Sequence, residues 1–122
     1  MIQEAYVSFE TAKLLKEKGF DEECYTFYEY DSGDFYREER NPCCNSYSDD
    51  YTATTQQRAM KWLREKHNIV IVVVPSMFWG KYNVSIYKKD NDCPIGFDGD
   101  SLCPSYEQAC EAAIKYCLQN LI

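Results

Sequence analysis

The chain has 122 residues, 45% of them apolar, and a formal net charge of −7. That size fits one domain with a real core, and no apolar run approaches the length needed to span a bilayer. Residues 1–51 hold 13 Asp/Glu against 5 Lys/Arg, which disfavours general binding to phosphate backbones.

Ser8 is an N-cap for a first helix over about Phe9–Lys18, with Gly19 at its end. Thr11, Ala12, Leu14 and Leu15 form its inner face. Cys24 to Tyr30 is dense in aromatic and β-branched residues and predicts a strand. Asp31-Ser32-Gly33-Asp34 follows as a turn, and Phe35–Glu38 returns as the second arm of a hairpin. From about 39 to 53 the chain is polar, with Asn41-Pro42, Cys43-Cys44 and Asp49-Asp50, and reads as a long loop.

Thr54 or Thr55 caps a second helix, about Gln56–His67, whose Ala59, Met60, Leu63 and His67 recur at helical spacing. Asn68 breaks it. Ile69 to Val74 is then an unalternated aliphatic run, the pattern of a strand covered on both faces or central in its sheet. Lys81–Lys88 alternates cleanly, as a half-exposed strand antiparallel to the one before. Ser105 with Gln108 makes a capping box for a last helix, Tyr106 to about Leu121. Its apolar stripe is Tyr106, Ala109, Cys110, Ala113, Ile114, Cys117, Leu118 and Leu121. The order α-β-(β)-α-β-β-α predicts a single α+β domain over 1–122: a small, mostly antiparallel sheet of three to five strands with three helices packed on it.

Candidate chemistry is sparse. Seven cysteines occur without a C-x-x-C pair, and Met1-Ile2-Gln3-Glu4 lacks the basic and apolar segments of an export signal. The expectation is a cytoplasmic protein with reduced thiols that pack as small apolar residues. Zinc ligands come in close pairs, and here only Cys43 and Cys44 are close, while nine residues separate Cys93 from Cys103. The acidic loop Asp90, Asp92, Asp98, Asp100 fails the calcium-loop pattern, having proline at the fifth position and serine at the twelfth. His67 is the sole histidine and reads as a packing or helix-capping residue. No carboxylate pair stands out for acid–base work, and no Gly-rich phosphate loop occurs. The sequence predicts no enzyme and no cofactor.

Protein contact, by a separate partner or by self-association, is the leading expectation. Met77, Phe78 and Trp79 place three large apolar side chains in one inter-strand loop, as interface anchors do. Seven of the eleven tyrosines, Tyr28 and Tyr30 among them, fall in the acidic residues 1–51, and tyrosine gives large contact area at low entropic cost. Two alternatives stand beside it: a nucleic-acid binder using Arg58, Lys61 and Arg64 with Lys81, Lys88 and Lys89, and a zinc or thiol protein.

Two resemblances follow from these blocks. The pattern Ser105-x-x-x-Ala109-x-x-Ala112-Ala113 after a hairpin resembles the end of a double-stranded RNA-binding domain. Tyr106, Glu107 and Gln108 stand where that family presents lysines, so its phosphate contact does not transfer. Val7–Phe20, Gln56–His67 and Ser105–Leu121 together resemble small proteins of phages and mobile elements of gut Bacteroidetes. That group has no established activity, so the resemblance implies a context and assigns no site residue.

Overall fold

The computed structural model describes residues 3–76, 80–90, 94–95 and 103–122. It is an α+β fold with the predicted order, and its chain divides into two compact units, Met1–Thr55 and Gln56–Ile122. The strands are shared between two sheets rather than gathered in one, three in the first unit and two in the second.

In the first unit, α1 (Phe9–Glu17) starts where the Ser8 hydroxyl accepts the Thr11 amide at 3.3 Å. It buries Thr11, Ala12 and Leu15 and packs against β3. Strands β1 (Thr26–Tyr28), β2 (Phe35–Arg37) and β3 (Tyr51–Thr52) form an antiparallel sheet of order β2-β1-β3, with Phe27 facing Tyr36 on one side and Thr52 on the other. Val7, Leu15 and Phe20 are the large side chains removed from water.

The segment predicted as a loop over 39–53 thus contains β3, and also a 3₁₀ turn at Asn45–Tyr47. Long-range polar contacts that no periodic pattern announces tie it down. Buried Asn45 donates to the Phe20 carbonyl at 2.7 Å and accepts the Thr52 amide at 3.0 Å. The Lys16 ammonium donates to the carbonyls of Ser48 at 2.7 Å and Asp50 at 3.1 Å, and lies over the Tyr51 ring. Asp50 in turn accepts the Tyr30 amide.

In the second unit, α2 (Gln56–His67) ends at Asn68, whose φ of 57° is the left-handed turn that stops a helix. Strands β4 (Ile69–Pro75) and β5 (Tyr82–Lys88) pair antiparallel along their whole length, with Val72 opposite Ser85. Helix α3 (Tyr106–Asn120) is capped by the Ser105 hydroxyl, which accepts the Gln108 amide at 3.1 Å. Both α2 and α3 pack on β4, and α3 also covers β5. The inner layer is Ala59, Leu63, Ile69, Ile86, Ala113, Ile114 and Leu118, with Cys110 and Cys117 between them. Tyr106, placed in the inner stripe by sequence, is exposed at the start of α3.

The aliphatic run is not covered on both faces as its composition predicts. Ile69 is buried and Ile71 and Val73 are half-buried, while Val70, Val72 and Val74 are 36–43% exposed. Successive side chains of a strand point to opposite faces, and the helices occupy only one of them. The β5 edge is met by isolated bridges from Ile95 and Cys103. Among the described residues no strand pairs with the other edge of β4.

Ile86→Ala should therefore cost about 2–5 kcal/mol through lost burial and a residual cavity. Val72→Thr on the outer face should change stability by about 0.5 kcal/mol or less. Urea unfolding of the two variants checks this, and equal losses would mean that both faces are packed.

Candidate functional site: an exposed aromatic edge

The β1–β2 hairpin turns through Gly33, whose amide donates to the Glu29 carbonyl at 2.8 Å while the Glu29 amide donates to Asp34 at 2.9 Å. Gly33 has φ of 73°, and a Cβ there would come within 3.3 Å of the Phe9 ring. A side chain there would strain the backbone and press on the Phe9 ring.

This turn places Phe35, Tyr36 and Arg37 on the sheet's edge strand, all exposed. Phe35 is 42% and Tyr36 44% exposed, yet both rings are held. Tyr36 stacks on Phe27 at 5.6 Å, and Phe35 meets Tyr28 at 5.5 Å and Tyr6 at 5.2 Å. Glu29 and then Asp34, both near the Tyr36 phenol, push its pKa above the ordinary value, with a smaller effect from desolvation. Carboxylates therefore lie beside Tyr36, while Phe35, the preceding strand residue, stands on the other face with Tyr6 and Tyr28.

Of the predicted contact residues, Tyr30 is 53% exposed. Tyr28 is half-buried, donates its hydroxyl to the Val7 carbonyl at 2.5 Å and packs edge-on against Phe9, so it serves the fold. Met77, Phe78 and Trp79 lie outside the described residues. Phe35 and Tyr36 went unnamed in sequence because a hairpin arm's alternation does not say which edge of its sheet is open.

The cysteines play different parts. Cys103, Cys110 and Cys117 are buried, and burial pushes the Cys117 thiol up to about 12. Cys24 and Cys43 face one another across an antiparallel bridge, with Cys44 adjoining. Cys93 lies outside the described residues. Among the described residues no three His, Cys, Asp or Glu side chains gather as a metal site.

The basic residues divide between two places. Arg58 and Lys61 are exposed along α2, where Lys61 approaches Glu65 at 3.9 Å. Arg64, Lys88 and Lys89 line a shallow depression in the second unit with Val70 and Tyr87. Lys88 also donates to the Leu121 carbonyl at 3.2 Å. His67 packs edge-on against Trp62 at 4.7 Å. Desolvation, and then the Lys88 charge, hold its pKa below 6.5.

No family model, curated protein or solved structure matches this chain. No described helix is long and apolar enough to cross a membrane.

The lowered His67 pKa has a defined sign. The folded state resists protonation more than the unfolded chain, so this contribution is complete above about pH 6.5 and is lost as pH falls through the folded-state pKa. Proton NMR of the single imidazole should show a midpoint below 6.5, and Lys88→Gln should raise it. A midpoint at or above 6.5 in the unsubstituted protein would contradict this packing.

Proposed function

We propose that the chain is a non-enzymatic accessory protein of phage or mobile-element type, acting in the cytoplasm by protein contact. Its acidic first unit offers the edge of β2, with Phe35, Tyr36 and Tyr30, to a basic protein partner. The observation that carries this reading is the combination on β2 of exposed side chains and fixed ring positions. Rings already ordered by their neighbours lose little freedom on binding, so more of the contact energy appears as affinity. Edge-strand amides and carbonyls add main-chain hydrogen bonds to an extended partner segment. Glu29 and Asp34 beside Tyr36 make the contact attractive to lysine and arginine and sensitive to salt.

Affinity capture in parallel with a Phe35→Ser/Tyr36→Ser double variant tests this. Loss of two anchors of about 1 kcal/mol or more each should weaken the captured complex at least about thirtyfold. Raising salt from about 50 to about 300 mM should weaken the unsubstituted complex as well. A partner held equally by the double variant would remove β2 from the interface.

A second reading rests on the convergence of Arg64, Lys88 and Lys89 around one depression. There the chain would hold a nucleic-acid phosphate. Anisotropy of a labelled oligonucleotide at about 50 mM salt, where phosphate contacts are strongest, decides it. Binding that disappears in Arg64→Gln/Lys89→Gln supports the reading, and no binding ends it.

A further inference from the structure

Cys24 and Cys43 are the one place in the first unit where two thiols are set directly across from each other by main-chain geometry. The Cys24 amide donates to the Cys43 carbonyl at 2.9 Å, and the Cys43 amide donates back to Cys24 at 2.8 Å. Such a reciprocal pair brings the two Cα atoms to about 5.5 Å, within the span that a disulfide bridges. Directly opposed residues of an antiparallel bridge project to the same side of the sheet. The Cys43 sulfur lies against the same bridge, donating to the Cys24 carbonyl at 3.3 Å, while the Cys24 sulfur donates to the Glu22 carbonyl at 3.6 Å and must turn from it to meet Cys43.

The two thiols differ in access. Cys24 is 3% exposed, whereas Cys43 is half-buried and lines an open surface depression of about 320 Å³ with Phe27, Pro42 and Asp50. A small oxidant reaches Cys43 first. We infer that Cys24 and Cys43 form a reversible oxidation site, closing to an intramolecular disulfide when the protein meets hydrogen peroxide.

The chemistry balances in two steps. The Cys43 thiolate attacks one peroxide oxygen, the O–O bond breaks, and Cys43 becomes a sulfenic acid as hydroxide leaves and takes up the thiol's proton as water. The Cys24 sulfur then attacks the Cys43 sulfur, the S–O bond breaks, and a second water departs with the Cys24 proton. Two thiols lose two electrons in all, and the peroxide is reduced to two waters.

Opposed Cβ atoms in a sheet stand at about 4.5–5.5 Å, slightly wider than a relaxed disulfide accepts. The bond is therefore strained and easily reduced, as reversible disulfides are. The Cys43 thiol sits above its ordinary pKa, through burial and then the neighbouring Cys24, so the reaction quickens as pH rises. The covalent ring encloses β1 and β2, and restricts the chain that carries Tyr30, Phe35 and Tyr36. The inference stands on the bridge alone and does not depend on what β2 binds.

Peptide mapping of the protein after hydrogen peroxide treatment at about pH 8.5 and thiol blocking tests it. A Cys24–Cys43-linked peptide should dominate, disappear with dithiothreitol and persist in Cys44→Ser. In Cys24→Ser, Cys43 should instead accumulate as a sulfenic acid trapped by dimedone. A dominant link between any other pair, oxidation of Cys43 to sulfinic acid without a link, or unreacted Cys24 and Cys43 would each overturn the proposal. The map of the unsubstituted protein decides this by itself, so poor folding of a variant does not obscure the result.

Discussion

The side chains of a strand alternate between two faces, and a helix laid across a sheet reaches only one of them. That constraint governs the second unit. With α2 and α3 both on the same side, Ile69 and Ile86 are sealed while Val70, Val72 and Val74 look outward. In the first unit α1 packs on β3, at the opposite end of the sheet from β2. What each unit leaves uncovered follows from where its helices lie.

Local rules account for the elements that were legible in the sequence. Ser8 and Ser105 mark helix starts because a hydroxyl satisfies an amide left over in the first turn, and both do so here. The α2 stripe and the Asn68 stop locate that helix. The β4–β5 pairing follows from two strand patterns joined by a short connection. The aliphatic run misled for a physical reason. Six apolar residues record a strong preference to leave water, but not whether the fold supplies one layer or two to receive them.

The segment over 39–53 was opaque for a different reason. Its order comes from single long-range hydrogen bonds, those of Asn45 and Lys16, and an isolated asparagine or lysine carries no period. The candidate surface was legible only in part. Tyrosine enrichment pointed to this hairpin, yet could not separate Tyr28, whose hydroxyl is spent on Val7, from the more exposed Tyr36. The thiols show the same limit. Cys110 and Cys117 fit a helical stripe that can be counted, whereas the meeting of Cys24 with Cys43 depends on a register interrupted between Arg37 and Cys43.

Among the described residues the edge of β4 away from β5 is unpaired, and that has a consequence beyond binding. Edge strands of natural sheets are commonly guarded by a lysine, a bulge or a proline within the strand. Here the only such guard is Pro75, at the last position. The remaining residues are neutral, β-branched and contiguous, a composition that stacks into cross-β fibrils once neighbouring chains align. Most of the carboxylates that would repel a second chain sit in the other unit. A lysine at Val72 would act as a gatekeeper against such stacking without entering the core.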